Sequence, residues 1–199
     1  MKKILFGMLI LSLTGVVNAT PITISDSQDQ TVNSENFNFN LSANNYQLGT
    51  SSLLTVTVQG DFNDGAGSSE SLSNIIIEGV DFGSYGYNSS EAYDVIDYTA
   101  GVNNFNAFQF SLDFLIDAST TEAFLSDNVL NTSINFGAGV AVKCGWSGTN
   151  NCNPGEGISP FTAVDFTFNQ VSAVPEPASI ILLGLGLVGI GFSRKKKTV

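Results

Sequence analysis

Five stretches of this chain set apolar residues at every second position, a spacing that suits β-strands and little else. Phe37, Phe39 and Leu41 stand between asparagines, and Leu54, Val56 and Val58 between threonines. Phe108, Phe110, Leu112, Phe114 and Ile116 form the longest set, followed by Ile134 with Phe136 and by Val164, Phe166 and Phe168. Side chains alternate across a strand, so each set lies on one face. Ser73 to Val80, with Ile75-Ile76-Ile77 inside it, reads as a strand buried on both faces. Polar turn clusters separate the windows: Asn63-Asp64-Gly65, Gly83-Ser84-Tyr85-Gly86 and Gly148-Thr149-Asn150-Asn151. The expected fold is therefore mainly β, an antiparallel sandwich or jelly roll whose inner faces bury the phenylalanines. Its one helix signal is the capping-box spacing Ser119-x-x-Glu122 ahead of Ala123, Phe124 and Leu125, which predicts a short helix between strands.

Both ends of the chain break this pattern. Met1-Lys2-Lys3, the apolar run Ile4 to Val17 and the small-residue site Val17-Asn18-Ala19 have the order of a secretory signal peptide. Cleavage is expected between Ala19 and Thr20, the alternative being an uncleaved N-terminal anchor. At the other end, Val174-Pro175-Glu176-Pro177 precedes an uncharged run from Ala178 to Phe192 and the cations Arg194, Lys195, Lys196 and Lys197. Pro175 and Pro177 fix φ and lack donors, so a helix can begin only after them. At about 1.5 Å per residue, a helix over about 178–192 falls short of the roughly 30 Å hydrocarbon core. Thinning of the bilayer or snorkelling by the flanking cations would make up the difference. A buried core helix is the competing reading; the cations favour a transmembrane helix with its basic end in the cytoplasm and the preceding residues outside.

Gly184-x-Gly186-x-x-Gly189 within that run has dinucleotide-loop spacing. It lacks the strand, helix and distal acid such a loop requires. Close approach by another membrane helix explains the glycines better.

The Pro-Glu-Pro, the apolar run and the basic end together resemble the PEP-CTERM protein-sorting signal of bacterial exported proteins. The resemblance covers residues 174–199 and speaks to sorting alone. It implies recognition by an exosortase, a membrane-embedded processing enzyme, and delivery to the cell surface or its exopolysaccharide matrix. The organisation expected is a signal peptide over 1–19, an acidic β-rich exported domain over 20–173 and a sorting segment over 174–199. The precursor would be anchored in the inner membrane with its domain outside the cytoplasm. The role expected for such an exported body is structural or adhesive in exopolysaccharide or biofilm, the alternatives being a carbohydrate- or calcium-binding module and, after these, a carboxylate-dependent glycosidase.

Assigning the ends changes the meaning of the charge. Six of the seven basic residues lie in them, leaving Lys143 against seventeen acidic residues within 20–173, a balance of −16. Such a surface repels polyanions, which excludes nucleic acid as a partner, and tolerates cations or neutral polysaccharide. Solubility of an exported protein explains the same charge.

Cys144 and Cys152, an even pair in an exported chain, point to a disulfide closing a small loop around Trp146. Its expected contribution is about 2 kcal/mol.

With no histidine in the chain, the usual serine triad and the commonest zinc ligand are missing. Catalysis would fall to carboxylate pairs of the glycosidase kind. Asp94, Asp97, Asp113 and Asp117 are the acids available, although Asp113 reads as the solvent side of its strand. The chain is expected not to be an enzyme and to need no cofactor, with calcium the one ion that fits. Asp61, Asn63 and Asp64 supply hard oxygen ligands, but Ala66 and Leu72 stand where a calcium loop of the helix-loop-helix kind needs Gly and Glu. A hairpin turn accounts for them too. Tyr85, Tyr87 and Trp146, near amide and acidic side chains, are the candidate sugar contacts; ordinary packing of aromatics in a β domain is their alternative.

Overall fold

All five alternating windows are strands in the computed structural model, which describes residues 19–62, 66–97, 107–142 and 160–171. The strands are β1 (Ala19–Asp29), β2 (Asn36–Ser42), β3 (Ser52–Gly60), β4 (Leu72–Ile77), β5 (Val80–Asp81), β6 (Tyr93–Asp97), β7 (Phe108–Ile116), β8 (Val129–Phe136) and β9 (Phe161–Val171). A single short helix among the described residues, α1 (Ala118–Phe124), joins β7 to β8. One compact unit is Pro21–Gln170, and the other combines residues 1–20 with 171–199. Of the latter, only residues 19, 20 and 171 are described, and Ala19 and Thr20 are exposed at the start of β1.

Two antiparallel sheets make up the body. The five-stranded sheet runs β1, β9, β3, β7, β6, and the four-stranded sheet runs β2, β8, β4, β5. β3 is central to the first: Val56 pairs with Leu112 of β7 on one side and Val164 of β9 on the other. Thr23 bonds Thr167 at 2.7 Å and the Ser25 hydroxyl donates to Asp165, so β1 runs antiparallel to β9. In the second sheet Phe39 faces Thr132 of β8, and Ile75 of β4 faces Ile134.

The apolar sides of both sheets enter one hydrophobic cluster. Phe37, Phe39, Leu41, Ile75, Ile77 and Ile134 come from one sheet, and Leu54, Val56, Phe110, Leu112, Val164 and Phe166 from the other. Phe62, just past β3, meets Phe110 edge-on at 5.3 Å and Phe136 at 5.1 Å, tying the sheets together. A fully buried phenylalanine of this kind contributes roughly 1.5–3 kcal/mol, so these rings dominate the core.

Three local expectations are corrected. Ser73 to Val80 is not a doubly buried strand: Leu72, Ile75 and Ile77 are buried while Ile76 is half-exposed. A register shift between Leu72 and Asn74 and a tight turn at Glu78 (φ 49°) and Gly79 (φ 77°) consume the remaining residues. The helix begins earlier than its capping-box spacing predicts. Asp117, not Ser119, is the N-cap, accepting from the Thr120 amide at 3.0 Å, while Ser119 Oγ donates to the same oxygen at 2.6 Å. Glu122 accepts from the Gly49 amide at 2.6 Å instead of closing a capping box. Finally, residues 82–85 do not merely turn. They continue alongside β4 through amide bonds from Phe82 to Ile75 and from Tyr85 to Leu72.

Among the described residues no helix is long and apolar enough to cross a membrane. The expected span at about 178–192 lies outside them.

Candidate functional site

Because β2 buries Phe37, Phe39 and Leu41, it must turn Asn36, Asn38 and Asn40 outward. The same alternation in β8 buries Leu130, Thr132 and Ile134 and presents Asn131, Ser133 and Asn135 beside them. β4 adds Asn74 and Ile76 on the far side. Strand register turns these into rows: Asn36, Asn135 and Asn74 in one, Asn38, Ser133 and Ile76 in the next. The result is a face of amides and a hydroxyl with the aliphatic Ile76 on its β4 side.

A shallow open groove of about 280 Å³ crosses this face, with Asn38, Asn40, Asn131, Ser133, Ile76 and Gly79 in its lining. One side of the face is cross-braced. Asn135 Nδ2 donates to Asn74 Oδ1 at 2.6 Å, and Glu78 Oε1 accepts from the Asn131 amide nitrogen at 2.5 Å and from its side chain at 3.0 Å. On the β2 side, the main-chain oxygen of Asn38 accepts from Gln28 Nε2. Among the described residues, the side-chain amides of Asn38 and Asn40 have no bonded partner. Each therefore offers two donors and an acceptor to whatever occupies the groove.

The two described aromatic candidates, Tyr85 and Tyr87, sit elsewhere and are engaged in packing. Tyr85 is half-buried; its hydroxyl donates to the Phe82 carbonyl at 2.7 Å and its ring meets Phe114 edge-on at 5.6 Å. Burial, with the Glu91 and Asp81 charges behind it, pushes its phenol above the ordinary value. Tyr87 stacks flat on Phe108 at 3.9 Å. Trp146 lies outside the described residues, as do Asn63, Asp64, Cys144 and Cys152.

The acids are also dispersed in role. Asp94 and Asp97 are exposed on the edge strand β6, Asp94 with φ 50° at a register shift. Asp113 accepts from Thr55 Oγ1 at 2.6 Å and Tyr93 Oη at 2.7 Å on the outer side of the five-stranded sheet. Asp117 is held well below the carboxylate range by bonds from Ser119 and Thr120 while it caps α1. Asp61 behaves differently: burial and the nearby Glu70 charge push its carboxyl up to about 7, against a bond from the Ala141 amide. Among the described residues no group of three or more potential ligands gathers to hold a metal ion.

Residues 173–195 match the PEP-CTERM protein-sorting motif. The chain carries that sorting motif. The match takes in Pro175, Glu176, Pro177, Arg194 and Lys195 and stops before Lys196 and Lys197. The motif implies export, membrane-anchored sorting to the cell surface and processing by exosortase, a membrane enzyme. The sorting residues lie outside the described part of the structure. No curated protein matches the sequence. Among solved structures, a quasi-atomic model of the PBCV-1 virus capsid is similar at TM-score 0.35 and 14% identity, over 78% of this chain and 43% of that one. PBCV-1 VP54, fitted into a reconstruction of the virophage Sputnik, is similar at TM-score 0.37 and 13% identity, over 79% and 43%. The chain thus spans less than half the length of either.

The asparagine face had a signal in the sequence. Asparagine is depleted in strands, yet here it fills three of the four outward positions of β2, Ser42 taking the last, and two in β8.

Proposed function

We propose that this protein is a structural or adhesive component of the extracellular polysaccharide matrix, released to the cell surface through its sorting motif. The observation that carries the reading is that motif joined to an acidic body whose outward strand positions are mostly Asn, Ser, Thr and Asp, with Leu115 an exposed exception. A jelly-roll-like sandwich suits the role, and the strand orders β1-β9-β3-β7-β6 and β2-β8-β4-β5 support it, since the chain crosses between the sheets at every connection except the hairpin β4–β5 and the pair β6–β7. A non-enzymatic role is supported by the lack of histidine and by the capping and hydroxyl bonds that occupy Asp117 and Asp113.

Fractionation of the producing bacterium with and without its exosortase tests this reading. In the parent strain the protein is expected in the matrix or surface fraction, with an intact mass reduced at both ends. Without the exosortase it is expected in the membrane fraction with its tail retained. A cytosolic protein of full mass in both strains would overturn the reading.

A further inference from the structure

We propose that the groove on the asparagine face is a binding site for a neutral polysaccharide chain. This rests on the matrix reading above and names the partner class that one site would hold.

The chemistry of the lining selects the ligand. A primary amide presents a donor pair and an acceptor in one plane, and a sugar hydroxyl is both donor and acceptor, so the two groups can satisfy one another without charge. Asn38 and Asn40 lie on the same face of β2, two residues and roughly 6.8 Å apart, which spreads their amides along the direction a chain would follow. Ile76, across the groove, offers an aliphatic surface to the C–H face of a sugar ring, where dispersion contacts accumulate.

Charge excludes the acidic polymers. The described residues contain no lysine, arginine or histidine, and the Glu78 carboxylate is bonded to Asn131 of the groove lining. A uronate would find repulsion and no counter-charge there. A second protein molecule is a poorer occupant because interface cores are apolar and aromatic, whereas this face is amide-rich beside a single isoleucine. At about 280 Å³ the groove sits at the small end of ligand sites, which run from roughly 300 to 1,000 Å³. Its open form suits a short stretch of a long polymer. Weak single contacts of this kind become retention in a matrix when many copies meet one polymer.

The test uses the full-length chain purified in detergent, titrated with labelled neutral hexose and N-acetylhexosamine oligosaccharides and with a hexuronate oligosaccharide of equal length. Binding of at least one neutral oligosaccharide is expected, weakened about tenfold in Asn38→Ala/Asn40→Ala, with the hexuronate bound at least tenfold more weakly than the neutral ligand. Both asparagines are exposed, so the variant should keep the parent circular dichroism spectrum and melting midpoint. An independent Ile76→Asp variant should also lose binding. The proposal is overturned if no neutral oligosaccharide binds, if both variants bind as the parent does, or if the hexuronate binds more tightly. It is likewise overturned if sedimentation shows self-association that the double variant abolishes while sugar binding is absent. A protein found in the matrix that binds no oligosaccharide overturns the groove alone; one that binds through these asparagines yet never reaches the matrix supports the groove and overturns the matrix reading.

Discussion

Asp61 is an acid whose proton is set by the fold in the neutral range. Burial and the Glu70 charge hold its carboxyl at about 7, well above the roughly 3.9 of an unfolded aspartate. Between those values the native chain keeps a proton that the unfolded chain has released, so this group's contribution to stability is greatest below about pH 4, falls as pH rises to about 7 and is level above that. Asp61→Asn removes that dependence while keeping an acceptor for the Ala141 amide. Thermal melts at pH 8 are therefore expected to show a higher midpoint for the variant than for the parent, with the difference vanishing near pH 4. An equal difference at both pH values would count against the buried, protonated carboxyl. Nothing in the local sequence announces this: Glu70 follows Asp61 in the chain, but the Ala141 amide reaches it only once the strands have assembled.

Strands were legible wherever one face is buried and the other is wet, which is why β2, β3, β7, β8 and β9 follow the alternation of their residues. β1 has only Ile22 and Ile24 as an inward pair, β5 is two residues long, and β6 is exposed throughout; an edge strand with so little burial leaves no period to read. The isoleucine run misled because three successive apolar residues hide a one-sided strand followed by a tight hairpin. The helix start misled because Asp117 and Ser119 are both good caps and only tertiary placement decides between them. The asparagine groove needed the pairing of β2 with β8, separated by some ninety residues, which no local pattern encodes. Two glycines in these connections separate conformational from steric demands. A Cβ on Gly79 meets nothing within 4 Å but would sit at φ 77°, so Gly79→Ala should cost about 1–2 kcal/mol through backbone strain alone. A Cβ on Gly137 would lie 2.5 Å from the Ser69 carbonyl oxygen and 2.9 Å from that of Ser71, which accepts the Gly137 amide at 2.8 Å. Backbone must move there, and the cost should be about 1–3 kcal/mol for overpacking with loss of that hydrogen bond added. Urea unfolding of the two variants should rank Gly137→Ala as the more destabilised; the reverse order would contradict the close approach of residues 69–71 to 137–139.

For the whole molecule, the order of strands sets when folding can finish. Among the described residues β1, the first strand, has β9, the last, as its only neighbour, and β9 is also one of the two neighbours of β3. β2 pairs with β8 in the same long-range manner. Contacts closed over such separations are slow to form, and neither sheet is complete until most of the chain is present. An exported protein gains from this, because its early residues emerge before the body acquires the strand that closes it. The antiparallel pairing of β1 with β9 also brings the entry of one and the exit of the other to the same end of the sheet, roughly one 5 Å strand spacing apart. Two outcomes follow for limited proteolysis. Precursor held back in exosortase-deficient cells should yield the same resistant core as the processed protein. A chain stopped after residue 160, which lacks β9 and so strands both β1 and one side of β3, should yield none. A resistant core from that truncated chain would mean that the body folds without its closing strand, and the link between strand order and folding after export would fail.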